Sequence, residues 1–203
     1  VSIKWNSWGF AGGTVDASDN VGNIIDYVTI AQTGNAVDFG DLTTGHSDGG
    51  RAQSKTRGVI VGGRGPDAST KLNVMEYITI STLGNGSDFG DLTLGRNEIA
   101  ADSNAVRGIF AGGNSDSAQS VIDFITIATL ANATDFGDIS SNATESRGSA
   151  SPTRFAFSLG ATPSNTDQIE YVQIMTTGNS IDFGDLTETR KQAAGVSNGH
   201  GGL

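Results

Sequence analysis

Eight aspartates stand in four copies of one six-residue stretch. It reads Asp38-Phe39-Gly40-Asp41-Leu42-Thr43, Asp88-Phe89-Gly90-Asp91-Leu92-Thr93, Asp135-Phe136-Gly137-Asp138-Ile139-Ser140 and Asp182-Phe183-Gly184-Asp185-Leu186-Thr187. Repeated carboxylates could hold a hard cation such as calcium, which takes oxygen ligands, or do acid–base work on a glycosidic bond. The wording supports neither. No copy matches an EF-hand loop or a glycine-rich calcium nonapeptide. Every copy carries the same acids, whereas an active site breaks the symmetry of a repeat. The first aspartate is expected to cap a turn and the second to face water. His46 and His200 are the only histidines. With no partnered Ser, no Cys and no His-Glu-x-x-His spacing, both are expected as exposed loop residues. No catalytic residue, metal or cofactor is expected.

The elements that position these residues recur with them. The motif starts lie at 38, 88, 135 and 182, so they are 50, 47 and 47 residues apart. A fixed period of this length is the mark of a repeat architecture. Each repeat opens with an aliphatic run closing on Gly-Gly, as in Phe10-Ala11-Gly12-Gly13, Ile60-Val61-Gly62-Gly63 and Phe110-Ala111-Gly112-Gly113; the fourth copy is Phe157-Ser158-Leu159-Gly160. Arg57, Arg107 and Arg154 precede three of the runs. A polar loop follows, then a β-branched and aromatic stretch: Ile25-Asp26-Tyr27-Val28-Thr29-Ile30 and its equivalents around Glu76-Tyr77, Asp123-Phe124 and Glu170-Tyr171. Six residues between Gly- and Asn-rich flanks read as a strand, not a helix. A turn at Gly34-Asn35, Gly84-Asn85, Ala131-Asn132 and Gly178-Asn179 leads into the Asp-Phe-Gly-Asp strand. The glycosylation-like triplets at Asn85, Asn132 and Asn142 are expected to serve as turn residues. A plainer strand then runs into the next repeat.

Four short strands per repeat without a helical segment define a β-propeller blade. The expected fold is all-β: a single domain over residues 1–203, with four antiparallel strands per blade and repeats at 7–56, 57–106, 107–153 and 154–203. The chain enters its first blade one strand late. Residues 191–198 align with the first strand of a further blade, so they are expected to pair with the strand at 9–12 and complete the first blade, which closes the ring; the competing arrangement is an open arc, closed by a second chain or continued by further residues.

Spacing separates frame from loop. The strand acid precedes the motif by the same interval in all four copies, so Phe39, Phe89, Phe136 and Phe183 are expected as buried equivalents, and the length difference falls after Gly-Gly, where the strand acid follows by 13, 13, 10 and 10 residues. Loops that vary on a constant frame are where binding resides. The candidate ligand residues are therefore Asp16, Asp19 and Asn20 in the first loop, and Arg64 and Asp67 in the second. Asn114 and Asp116 follow in the third, and Asn165 and Asp167 in the fourth. Trp5 and Trp8 break the repeat pattern and are candidate interface residues, since Trp is enriched at interfaces.

The 203 residues include no cysteine and carry a net charge of −10. There is no disulfide framework, and an acidic chain lacks the basic footprint of a nucleic-acid binder. No apolar run approaches the ~18 residues of a membrane span, so no membrane insertion is expected.

The Gly-Gly strand, the acid-aromatic strand and the later aromatic resemble kelch repeats, with Phe39, Phe89, Phe136 and Phe183 standing where that family usually has Trp. More narrowly, Arg-Gly-Ile-Phe-Ala-Gly-Gly at 107–113, Ile-Asp-Phe-Ile-Thr-Ile at 122–127 and Asn-Ala-Thr-Asp-Phe-Gly-Asp at 132–138 resemble repeats in virion and tail-fibre proteins of tailed phages, especially marine phages of cyanobacteria. The resemblance implies a virion or extracellular location. It also implies a non-catalytic module that binds a host-surface glycan or another virion protein, with homo-oligomers in reach. A glycan-cleaving or metal-dependent enzyme and a purely structural spacer are the alternatives.

Overall fold

A computed structural model describes residues 7–13 and 20–197, of which 7–10 are described in the backbone only. Among them there is no helix, and the strands form four antiparallel sheets. The first sheet holds β1 (Ser7–Ala11), β2 (Ile24–Thr29) and β3 (Val37–Asp41). The second holds β4 (Gly50–Gln53), β5 (Arg57–Val61), β6 (Val74–Thr79) and β7 (Ser87–Asp91). The third comprises β8 (Ala100–Ser103), β9 (Arg107–Ala111), β10 (Gln119–Thr126) and β11 (Thr134–Ala143). The fourth comprises β12 (Arg147–Ala150), β13 (Arg154–Ser158), β14 (Gln168–Gln173) and β15 (Ile181–Asp185). Strands pair in chain order within each sheet, as short polar loops require. The expected all-β class is what the chain adopts.

The core lies between sheets. One apolar cluster joins Ile25, Phe39 and Leu42 of the first repeat to Ile60 of the second. A second joins Met75, Phe89 and Leu92 to Phe110, Ile125 and Ile127. A third joins Ile122, Phe136 and Ile139 to Phe155, Phe157 and Ile174. Each seam thus buries several large apolar side chains, each contributing about 1.5–3 kcal/mol when fully covered. The motif phenylalanine meets the strand aromatic of its own sheet edge to face, as Tyr77 and Phe89 do at 6.2 Å and 75°. That is the favoured geometry for two ring quadrupoles.

The motif is a seam device. Its first aspartate caps the bend, since Asp88 Oδ1 accepts from Gly90 N at 3.1 Å, and Asp135 and Asp182 repeat this. Its glycine gives room to the next sheet. A Cβ on Gly90 would stand 2.6 Å from the carbonyl oxygen of Ala131, and Gly40 and Gly137 meet the turns at Gly84 and Gly178 just as closely. Their φ values of 134–146° also favour glycine. The amide of the second aspartate then donates to the turn asparagine of the following sheet, Asp41 to Asn85, Asp91 to Asn132 and Asp138 to Asn179, at 3.0–3.1 Å. Asn85 and Asn132 are therefore turn residues with a structural task, whereas Asn142, expected in a turn, lies within β11. The repeated arginine spans the same seam: Arg57 lies over Tyr77 and donates to Ile127 O at 2.9 Å, and Arg107 repeats this with Phe124 and Ile174 O.

Two expectations are corrected. Residues 191–197 form no strand, the first sheet remains three-stranded, and no closed ring is found among the described residues; position 198 lies outside them. Local contacts hold the segment beside its own last sheet. Gln192 N donates to Glu145 O at 3.2 Å, Lys191 pairs with Glu145 at 2.7 Å, and Gly195 rests on Gly148. Phe183 is not buried like its three equivalents. It is 56% exposed, against 7%, 2% and 3% for Phe39, Phe89 and Phe136, because no further sheet covers the fourth among the described residues.

Candidate ligand-binding loops and the sealed seams

The first site to weigh is a histidine–carboxylate pair. His46 Nε2 lies 3.0 Å from Glu76 Oε2, and His46 Nδ1 lies 2.6 Å from Gly62 O. His46 is 2% exposed and Glu76 0%, so the expectation of an exposed loop histidine is corrected for His46; His200 lies outside the described residues. The reason lies in the register. His46 and Arg96 both stand five residues beyond the second motif aspartate, and each reaches the strand acid of the next sheet. Arg96 Nη2 sits 3.1 Å from Asp123 Oδ2, with both side chains fully buried. At the third seam the equivalent position is Ala143, and Glu170 is instead held by the hydroxyls of Ser140 and Ser180 and by Gln168 Nε2 at 3.2 Å.

The hydroxyl residue of the motif completes each of these sites. Thr43 donates its amide to Glu76 at 2.7 Å and its hydroxyl as well, and Thr93 donates both to Asp123. Burial alone raises the Glu76 carboxyl, but hydrogen bonds from His46 and Thr43 outweigh it and hold the group below its usual range. Burial pushes the Asp123 carboxyl up, only partly offset by Arg96, and pulls the Arg96 guanidinium down. These pairs resemble acid–base machinery in type. Sealed between sheets, they offer no reacting atom a place within hydrogen-bond reach. They act as hydrogen-bonded pins across the seams.

The loops after Gly-Gly are the accessible alternative. Each rests on the connection that leaves the preceding sheet. Arg64 bridges Ser47, Asn114 bridges Asn97, and Ala161 bridges Thr144. The three described loops therefore follow one another along a single edge of the row of sheets. That edge also carries Asp48, Glu98 and Glu145, each at positive φ (55°, 58° and 57°). Bulky side chains rarely adopt that conformation.

Several candidate residues have structural work. Arg64 forms an ion pair with Asp48 at 2.8 Å. Asp67 folds its own loop, accepting from Ser69 N, Thr70 N and Thr70 Oγ1. Hydrogen bonds from the Thr70 hydroxyl and amide and from Ser69 N hold its carboxyl well below the usual carboxylate range. The amide of Asn114 donates to Asn97 O at 2.8 Å. Asp116 is exposed at a positive φ of 62°, Asn165 is exposed beside Ala161, and Asp167 accepts Leu186 N at 2.6 Å through its backbone carbonyl. Asn20 is exposed. Asp16, Asp19 and Trp5 lie outside the described residues, and Trp8 lies in β1, where only the backbone is described. Repeat spacing points to the loops but misses Asp48, Glu98 and Glu145. Their common position, seven residues after the second motif aspartate, is visible in the sequence; their backbone geometry is not.

Among the described residues no group of three or more His, Cys, Asp or Glu side chains converges to hold a metal ion, and no helix is long and apolar enough to cross a membrane. In class this is an all-β repeat protein of four antiparallel sheets pinned by buried acids. No family model matches the chain, and no curated protein matches it in sequence.

Proposed function

We propose that the chain is a non-catalytic recognition module, a kelch-like β-propeller unit of a phage tail appendage whose loop edge binds a host-surface glycan. One observation carries the reading. Length varies only in the loops, whose wording differs as well, and the three described loops line one edge, while the seam contacts behind them repeat from sheet to sheet. The edge presents carboxylates, amides and hydroxyls, the groups that pair with sugar hydroxyls. Its segments 64–73, 114–120 and 161–167 contain no aromatic residue, so hydrogen bonding rather than stacking would set affinity. The sealing of His46–Glu76 and Arg96–Asp123 supports binding over catalysis. The phage setting rests on the sequence resemblance alone. The reading is tested by a glycan array probed with the chain, followed by replacement of one loop at a time with a Gly/Ser linker. Loss of glycan binding with unchanged melting supports it, and release of oligosaccharides from a bound polysaccharide would turn it into an enzyme.

A further inference from the structure

The two ends of the row of sheets are unfinished halves of the same seam. At the fourth sheet, Phe183 is 56% exposed where the three equivalent phenylalanines are buried. Gly184 has the φ of +131° that the other motif glycines share, but its Cβ direction meets nothing within 4 Å, whereas Gly40, Gly90 and Gly137 each receive a turn of the next sheet. Arg190 stands at the position of His46 and Arg96, and Thr187 at that of Thr43 and Thr93. Arg190 is exposed where His46 and Arg96 are buried; its guanidinium bonds locally to Glu188 O and Thr187 Oγ1, and its amide donates to Thr166 O at 3.2 Å. An open groove of about 390 Å³ lies between this sheet and residues 193–197, lined by Phe183, Leu186 and Val196.

The first sheet carries the complement. Asp26 is the strand acid equivalent to Glu76, Asp123 and Glu170, and it alone of the four is not fully buried. Ile30 is 48% exposed, although Ile127 and Ile174 at its position are 1% and 0% exposed. The turn at Gly34-Asn35 has no motif strand upon it among the described residues. Phe10 lies opposite Asp26 as Ile60 lies opposite Glu76. The outer edge of β1 has no partner strand among the described residues. Residues 194–197 stand where β4, β8 and β12 stand in the register but do not form a strand.

We propose that these two faces bind one another head to tail, joining the fourth sheet of one copy to the first sheet of a second copy of this chain. The occupant follows from the chemistry of the internal seams. A cation five residues beyond the second motif aspartate enters beside an acid, and here Arg190 meets Asp26. Thr187 caps that acid, the Gly34-Asn35 turn enters over Gly184, and residues 194–197 add a fourth strand to β1. Strand addition at an open edge supplies the main-chain bonds, and the groove takes the apolar side chains. Because the interface is heterologous, it yields a ring if the rotation closes and a filament if it does not.

Sedimentation velocity on the 203-residue chain, over roughly a hundred-fold range of concentration, tests this by mass action. The wild type should associate. Arg190→Glu and Asp26→Arg should each weaken association by about tenfold or more, while an equimolar mixture of the two, or the double variant, restores it. Phe183→Ala should weaken it similarly without loss of the monomer fold, because that side chain is half exposed in the monomer. Melting of each variant at the lowest concentration confirms that the fold survives. A wild type that stays monomeric throughout, whether it closes on itself or is capped by another protein, overturns the proposal. So does association that the charge reversals leave unchanged.

Discussion

Replacing Phe89 and Phe183 by alanine in separate variants compares one motif position inside a seam with the same position outside one. Phe89 is 2% exposed, packed with Met75, Leu92 and Phe110 and set edge to face on Tyr77. Its removal takes away the transfer free energy of the ring and leaves a cavity that the two rigid sheets cannot close, a loss of ~3–5 kcal/mol. Phe183 keeps the same ring contact, with Tyr171 at 5.8 Å, but more than half of it is already in water, and no cavity forms. The cost there is about 1 kcal/mol. For a chain of this length these losses correspond to roughly 6–20 °C and 2–4 °C in Tm. Differential scanning calorimetry at low protein concentration reads both. Equal shifts would refute the reasoning, because they would mean that burial against the next sheet does not distinguish the two positions. At high concentration the Phe183→Ala shift should grow if copies join head to tail.

Glu76→Gln should change the acid limb of the stability curve. The Glu76 carboxyl is held below its usual range in the folded chain, so the stability it contributes is fully present above the unfolded value of about 4.3 and is lost as pH falls through the lower folded value. The variant should lose ~2 kcal/mol near neutrality and unfold less steeply below that window, as urea titrations across pH would show; an unaltered acid limb would contradict it. Gly184→Ala should cost ~1–3 kcal/mol from backbone strain alone, and Gly90→Ala at least ~1 kcal/mol more because its Cβ collides with Ala131 O; equal costs would show that the close approach is not limiting. Melting points should not rise in calcium relative to magnesium, since a site on the folded state would raise them by mass action; a reproducible rise would restore the motif aspartates as ligands.

The repeat made most of the frame legible. Period, strand acid, motif phenylalanine and Gly-Gly predict the sheets and three of the four buried rings without knowledge of any contact. Phe183 escapes because its environment depends on what lies beyond it, and a repeat position says nothing about whether a further sheet is present. His46 escapes for a different reason. Its partner is 30 residues away across a seam, and a lone histidine in a polar connection has no local mark of burial. The available signal was register: His46, Arg96 and Arg190 share one position, and the strand acids share another. The loops were legible as loops from their varying length, but not in their internal bonding. Nothing in the sequence separates Asp67, which folds its own loop though exposed, from another exposed acid such as Asp116.

The central claim is that recognition resides in the loops and stability in the seams. The direct measurement is binding of the best-scoring array glycan to the wild type and to a variant carrying Gly/Ser linkers at 14–23, 64–73, 114–120 and 161–167, with melting followed in parallel. The account predicts that the variant keeps a cooperative transition and loses binding. Undiminished binding by a folded four-loop variant would contradict it and move the site elsewhere on the frame.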